Sequence, residues 1–174
     1  LILTLYGVFA AQLVDSLTGG ADAPQGLIDV FGLVPARVLG GSHLWTLITS
    51  AFLHGGIAHI FGNTHFFYVF GDNIEDILGK WRFLFIYFFA AAAGSIVQVV
   101  FQTDPTTPVI GASGAVAGLM GAYIVLFSRV KLYLVLFFIR FKLDVLWYIG
   151  FWVAYNVIMA LAGGEGIAWM AHIG

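Results

Sequence analysis

Four polar side chains in apolar stretches of this sequence are of the types that acyl transfer needs. Ser113 is a poor nucleophile until a base takes its proton, and His172 is the kind of base that does so near neutral pH. His59 and Asn63 stand four residues apart, so on a helix they share one face. Both can donate a hydrogen bond to an oxyanion. This pattern predicts a Ser–His dyad with two side-chain oxyanion donors.

A third member of a catalytic triad is not apparent in the sequence. The acid nearest to His172 is Glu165, about two helical turns away, so a dyad is the simpler reading. Each polar residue also has an ordinary explanation when taken alone. A serine in a membrane helix bonds back to its own backbone, and an asparagine or histidine joins neighbouring helices. The presence of all of them at one predicted depth favours catalysis.

Metal binding is the competing chemistry, because four histidines fall in or beside the apolar segments: His54, His59, His65 and His172. The HExxH pattern is absent and no carboxylate accompanies these histidines inside the apolar segments. The sequence has no cysteine, so thiolate sites are excluded. We therefore expect no metal and no other cofactor. His54 fits an interfacial donor, His65 lies on a different helix face from Asn63, and His43 is expected in solvent.

The composition decides what kind of molecule positions these residues. The chain has 174 residues, of which 61% are hydrophobic and 9% charged. That is too little charge to coat a soluble domain, which usually has about 25% charged residues. The net charge of −2 leaves no polybasic surface for nucleic acid. An integral membrane protein remains, and six helical spans of roughly 20 residues with short loops fit this length.

Six apolar segments are predicted as spans: 1–14, 51–70, 83–101, 113–127, 145–162, and a last one beginning near residue 167. The connection 15–50 is expected to be irregular, with short interfacial helices, and the polar run 71–76 is expected to end the second span. Residues 132–139 are too few to cross a bilayer, so we expect an interfacial segment with basic anchors. Because apolar runs reach both ends, the first and last spans are expected to continue beyond this sequence.

The distribution of basic residues predicts the orientation in the membrane. With a cytoplasmic N-terminus, the external loops carry only Arg37, and the internal loops carry Lys80, Arg82, Arg129, Lys131, Arg140 and Lys142. The candidate catalytic residues then lie a few residues below the external surface. A transporter or channel is the less favoured class, since charges are confined to loops and no internal repeat is obvious.

The motifs resemble those of the rhomboid family of intramembrane serine proteases. They are Gly111-Ala112-Ser113-Gly114, the stretch from Leu53-His54 through His59 to Asn63, and Ala171-His172-Ile173-Gly174. Gly71, Glu75 and Gly79 also match a family motif at the inner end of the second helix. The resemblance runs over essentially the whole chain.

The resemblance implies an all-α bundle of six transmembrane helices with a long external first loop, formed by residues 1–174 as a single protease domain. It makes Ser113 the nucleophile and His172 the base. Oxyanion binding would fall to His59, Asn63 and the backbone of Gly111 and Ser113. His54 would support the site. Glu75 would be structural and accept helix-end donors.

The resemblance also implies substrates and a location. The substrates would be single-span membrane proteins, cut within or next to their span and admitted between spans two and five. The location would be the plasma membrane of a prokaryote. The alternative within the family is a catalytically weak member that binds membrane clients.

Three positions depart from the family pattern. Ala117 stands where an aromatic residue often packs on the catalytic histidine, so Trp169 or a phenylalanine must hold the ring, or the ring is looser. Trp45-Thr46 replaces the usual Trp-Arg of the first loop, and Arg37 is the candidate substitute anchor. Thr64-His65 replaces an apolar pair, which adds a polar group within the membrane.

Overall fold

The computed structural model describes residues 1–18, 26–102, 104–136, 138–162 and 169–173. The elements from the N-terminus to the end of the first loop are α1 (Ile2–Thr18), α2 (Leu27–Phe31), α3 (Pro35–Leu39) and α4 (Thr46–Thr49). The central elements are α5 (Ile57–Phe66), α6 (Asp72–Leu78), α7 (Lys80–Phe101) and α8 (Ser113–Phe127). The last ones are β1 (Lys131–Leu136), β2 (Ile139–Asp144), α9 (Val145–Leu161) and α10 (Trp169–Ile173).

The second predicted span is displaced toward the C-terminus. Residues Ser50–Phe52 form a 3-10 turn, and the α-helix begins only at Ile57. The helix then continues through a π-helical stretch, Phe67–Gly71, into α6. The prediction that residues 71–76 end this span is therefore wrong. Ile74 is fully buried although its sequence neighbours are polar, so one face of this helical turn is packed. The helix ends at Gly79, whose φ is +77°.

The helix α7 has the length and composition of a complete span, with 22 residues and a mean hydropathy of 2.1. It is the one α-helix within the described ranges that passes both criteria. Three shorter apolar helices accompany it, namely α1, α8 and α9. The helical path from α5 to α6 is also continuous, although its π-helical stretch divides it into two α-helices.

Small residues allow α7 and α8 to pack closely. A Cβ at Gly118 would overlap the Cβ of Ala90, and a Cβ at Gly114 would lie 3.1 Å from the Ala171 carbonyl oxygen. Large aromatic side chains fill the space farther from Ser113, where Phe70 packs edge-on against Tyr123 with ring centroids 5.1 Å apart. Glycine and alanine therefore allow the close backbone contact around Ser113. Small residues have the same effect at other helix interfaces in membranes.

The helix α1 runs antiparallel to α5 and is tied to it by polar side chains. The Tyr6 hydroxyl lies 3.0 Å from Thr64 Oγ1. The Gln12 side chain forms a pair of hydrogen bonds with the backbone of His54, accepting from its N–H at 3.0 Å and donating to its carbonyl at 3.2 Å. Gln12 is only 7% exposed, so this pair is well protected from competing partners.

The first loop contains short helices, as expected, and an ion pair holds it together. The Arg37 guanidinium contacts the Asp29 carboxylate at 2.5 Å and donates to the Asp29 carbonyl at 2.6 Å. Leu33 and Val109 form an isolated antiparallel bridge, with N···O distances of 3.0 and 2.8 Å. The first loop therefore braces the loop that precedes Ser113. The segment 19–25 lies outside the described residues.

A β-hairpin occupies the region that the sequence predicted only as an interfacial segment. Its strands pair antiparallel from Lys131 opposite Asp144 to Leu136 opposite Ile139. Because side chains alternate between faces, Tyr133 and Lys142 share the polar face, and the other face carries only apolar residues. The hairpin joins the end of α8 to the start of α9, at the end of the bundle opposite to Ser113.

Candidate active site

Ser113 is the first residue of α8, so its position depends on the loop before it. That loop is held by the bridge to Leu33 and by a hydrogen bond from the Gly111 N–H to the Ser50 carbonyl at 2.9 Å. At the start of a helix the first N–H groups have no partner within the helix. No described residue accepts a hydrogen bond from the Ser113 N–H. Ser113 therefore has both a half-buried hydroxyl and a backbone N–H that is free to donate a hydrogen bond.

Gly111 has a different role from the one that the sequence suggested. Its N–H is already donated to Ser50, so it is not available as an oxyanion donor. Its importance lies in its missing side chain: its φ is +131°, and a Cβ there would lie 2.7 Å from His59 Nε2. Only glycine combines this backbone angle with such close contact. Gly111 therefore brings the loop directly against the His59 ring.

The hydrogen bonding of His59 determines which ring nitrogen carries the proton. The Gly55 N–H donates to His59 Nδ1 at 3.3 Å. A nitrogen that accepts a hydrogen bond is unprotonated in the neutral ring, so the proton is assigned to Nε2. Nε2 is the atom that faces Gly111. His59 therefore presents a donor toward the loop that leads into Ser113.

Asn63 follows one turn later on the same face of α5. Its side chain is 8% exposed, and its amide nitrogen finds no hydrogen-bond partner among the described residues. A buried donor without a protein partner is costly unless a water, a ligand or a reaction intermediate accepts its hydrogen bond. The amide nitrogen lies 3.7 Å from the Cβ position of Gly111. The two donors predicted from the sequence thus converge on the same glycine.

His172 reaches the site because the backbone of α10 lies directly on α7 and α8. A Cβ at Gly94 would be 2.7 Å from the Ala171 carbonyl oxygen, and one at Gly114 would be 3.1 Å from it. The Ala171 N–H donates to the buried side chain of Gln98 at 3.0 Å. These contacts fix the residue that precedes His172 against the first turn of α8. Glu165, Ile167 and Gly174 lie outside the described residues.

The His172 ring is held by groups that the motif did not contain. Trp152 stacks on it with centroids 5.5 Å apart and planes 26° from parallel, and Trp169 meets it edge-on at 6.2 Å. Trp169 is one of the residues that the sequence analysis expected to hold the ring in place of an aromatic residue at position 117. Asn156 Oδ1 lies 2.5 Å from His172 Nδ1. The sequence carried a signal for Asn156, since it is an amide inside an apolar span.

One cavity of about 910 Å³ joins these residues. Its walls include the four predicted site residues, Ser113, His172, His59 and Asn63. Trp152 of α9 and Phe66 of α5 also line it. The structure therefore brings together side chains from α5, α8 and α10, which are far apart in the sequence. A nucleophile, a base and two donors around one cavity can perform acyl transfer.

Three other histidines lie outside the lining of this cavity. His54 is 2% exposed, neither ring nitrogen has a hydrogen-bond partner among the described residues, and its ring packs edge-on against His59 at 5.2 Å. Its ring is therefore in contact with His59 and is not part of the cavity lining. His65 is exposed on the outer side of α5 and stacks on Phe61 with centroids 6.3 Å apart. His43 is half-buried and contacts Trp45.

The glycine–glutamate motif lies far from Ser113, around α6. Gly71 ends the π-helical stretch, where a Cβ would be 3.3 Å from the ring of Phe83. The Glu75 carboxylate is exposed and receives no hydrogen bond from the described residues. Instead the Gly79 N–H donates to the Glu75 backbone carbonyl at 2.8 Å. The expected capping by the Glu75 side chain is therefore not seen.

The loop at the rim of the cavity carries an exposed carboxylate with local partners. The hydroxyls of Thr106 and Thr107 and the Thr106 N–H donate to Asp104. These hydrogen bonds lower the pKa of the Asp104 carboxyl to about 2. Asp104 therefore stays ionised throughout the physiological range and orders the turn that leads to Pro108 and Val109 at the cavity wall.

The comparison with known proteins decides the family. A profile of the Rhomboid domain matches residues 41–174. The chain belongs to the rhomboid family. It is thus a helical integral membrane protein, and named rhomboid proteases among its relatives support an intramembrane protease function.

Three curated relatives illustrate how far the similarity extends. Rhomboid protease GluP of Bacillus subtilis is 36% identical over 115 residues, which cover 65% of this chain and 22% of the relative. The putative rhomboid protease YdcA of the same organism is 41% identical over 81 residues, or 46% and 40% of the two chains. RHOMBOID-like protein 12 of Arabidopsis thaliana is 35% identical over 147 residues, or 75% and 43%. The rhomboid chain thus spans less than half the length of these relatives.

Proposed function

We propose that this rhomboid chain is a serine endopeptidase that cuts single-span membrane proteins within or next to their transmembrane segment. The observation that carries the proposal is the shared cavity, which Ser113 and His172 line together with two donor side chains, one of them a buried amide without a partner among the described residues. A carbonyl oxygen that becomes negative during attack would satisfy that amide.

In the proposed mechanism, Ser113 Oγ attacks the carbonyl carbon of the scissile bond while His172 Nε2 takes the hydroxyl proton. The negative oxygen receives hydrogen bonds from His59 Nε2, Asn63 Nδ2 and the Ser113 N–H. The protonated His172 then gives its proton to the leaving amine, which leaves an acyl-enzyme. Water enters from the cavity, His172 activates it, and hydrolysis of the ester restores the Ser113 hydroxyl.

The proposed substrate path lies between α5 and α9. Phe66 and Trp152 line the cavity from these two helices, so it extends between them. Phe66 also stacks on Tyr148 with centroids 6.4 Å apart, which joins α5 to α9 farther from the cavity. A substrate helix must unwind there, because the backbone groups of an intact helix are already paired with each other.

We also propose six spans, a cytoplasmic N-terminus and a site near the external face of a prokaryotic plasma membrane. The support is the concentration of basic residues in the predicted internal loops. The β-hairpin with Lys131, Arg140 and Lys142 lies at the end of the bundle opposite to Ser113. A site near the outer face would open the cavity to water, which hydrolysis requires.

The test uses purified protein in proteoliposomes with a single-span substrate, and cleavage sites are read by mass spectrometry. Wild type should cut within or beside the span, and Ser113→Ala and His172→Ala should each abolish cutting. Cleavage that persists in Ser113→Ala overturns the assignment of the nucleophile. A wild-type protein that retains the substrate without cutting it, and whose Ser113 is not labelled by a fluorophosphonate, supports the client-binding alternative instead.

A further inference from the structure

Asn156 lies in α9, outside every motif that marked the site. It is 1% exposed, and both ends of its amide are used. The amide nitrogen donates to the Trp152 carbonyl at 2.7 Å, one helical turn earlier. The amide oxygen lies 2.5 Å from His172 Nδ1. The carbonyl of Trp152 can only accept, so the amide nitrogen must face it and the oxygen must face His172.

This arrangement has a chemical consequence for the ring. An amide oxygen has no proton to give, so His172 Nδ1 must be the donor of the contact. In the neutral imidazole Nε2 is then unprotonated, which is the form that can accept a proton from Ser113. Without a fixed acceptor at Nδ1 the ring can place its proton on either nitrogen and rotate. Asn156 thus selects both the tautomer and the orientation.

The same turn of α9 also holds the face of the ring. Trp152 stacks on His172 at 5.5 Å, and its backbone carbonyl orients Asn156. Residue 117, in the second turn of α8, is alanine, so this position supplies no aromatic ring. Trp152 and Asn156 of α9 therefore support the ring together, with Trp169 at its edge.

We propose that Asn156 is a positioning residue for His172, so that the site works as a Ser–His–Asn arrangement. The inference rests on the proposed protease function. A plain structural role, in which Asn156 only joins α9 to α10, is the competing explanation. The two explanations predict different kcat values for a variant that loses the hydrogen bond to His172 and keeps the packing.

The experiment compares Asn156→Leu, Asn156→Asp and wild type in proteoliposomes with the same single-span substrate. Leucine keeps the number and branching of the side-chain heavy atoms and removes the acceptor. We expect kcat to fall roughly 10- to 100-fold with little change in KM, as when groups that orient metal-bound imidazoles are removed. Aspartate restores an acceptor, so it should recover at least part of kcat.

The pH profile distinguishes positioning from packing. A carboxylate at position 156 stabilises the protonated imidazole, so the acid limb of kcat in Asn156→Asp should move to higher pH. Of the titratable side chains that the structure describes, His59 of α5 is the one that shares the cavity with His172. Gln98 of α7 and Ser113 of α8 face the cavity without charge. His59 is unchanged in all three proteins, so it cannot produce the difference.

Each result has a defined meaning. A folded Asn156→Leu protein with the wild-type kcat overturns the inference, as does an Asn156→Asp protein with an unmoved acid limb. If leucine prevents folding, the aspartate profile alone decides. Ser113→Ala is assayed alongside: if it still cleaves, the proposed function fails. If it is inactive and Asn156→Leu is not impaired, only the role of Asn156 fails.

Discussion

The contact between Gly111 and His59 allows a quantitative test of the oxyanion site. In Gly111→Ala the new Cβ would lie 2.7 Å from His59 Nε2 and 2.9 Å from Cε1, whereas ordinary Cβ contacts begin near 3.4 Å. The ring or the loop must therefore move by about 0.7 Å. Such a shift should turn the Nε2–H away from the proposed position of the oxyanion. Loss of one oxyanion donor lowers kcat by roughly 10²- to 10³-fold.

The same substitution also strains the backbone, and a second glycine measures that cost separately. Gly111 has φ of +131° and Gly79 has φ of +77°, but a Cβ at Gly79 meets nothing within 4 Å. A non-glycine residue in such conformations costs on the order of 1–3 kcal/mol. Gly79→Ala should therefore lower the thermal midpoint and leave kcat per folded molecule close to wild type. Gly111→Ala should lower both.

A double-mutant cycle connects the effect to His59. We expect His59→Ala alone to lower kcat by a similar factor, and Gly111→Ala in that background to add much less than it does alone. Cleavage of a single-span substrate in proteoliposomes gives kcat, and thermal unfolding gives the folded fraction. A Gly111→Ala protein with wild-type kcat would refute the argument that this close contact places the donor. Fully additive effects would show that Gly111 acts through something other than His59.

Two further predictions concern the frame around the site. Gln12→Leu leaves the buried N–H and carbonyl of His54 without partners, so the free energy of unfolding should fall by roughly 1–3 kcal/mol; an unchanged thermal midpoint in detergent would contradict this. Gly94→Ala puts a methyl group 2.7 Å from the Ala171 carbonyl oxygen and should displace α10, which lowers kcat on the order of 10- to 100-fold. Its matched control is Gly121→Ala, where a Cβ meets nothing within 4 Å and kcat should be unchanged.

The prediction of helices succeeded where apolar runs are bounded by clear signals. The helix α8 covers the predicted residues, Ser113–Phe127, because a proline-containing loop that ends near Gly111 precedes it. The second span lies later in the sequence than predicted, because the polar residues after Gly71 continue the helix and do not form a turn. They belong to α6, whose buried side is supplied by Ile74 alone. A short stretch of mostly polar residues indicates that one face of the helical turn is exposed. It does not show that a single apolar residue packs the opposite face.

The sequence by itself determined the class of molecule and predicted the candidate reacting groups. Sparse charge requires a membrane environment, and the joint occurrence of serine, histidine and asparagine at one predicted depth in apolar segments favours catalysis. Only the tertiary structure decided how these groups are oriented. The Gly111 N–H is used by Ser50, and the His172 ring is held by Trp152 and Asn156 of another helix. Hydrogen bonds between distant segments depend on how the helices and loops pack together, and the spacing of residues along the sequence does not specify that packing.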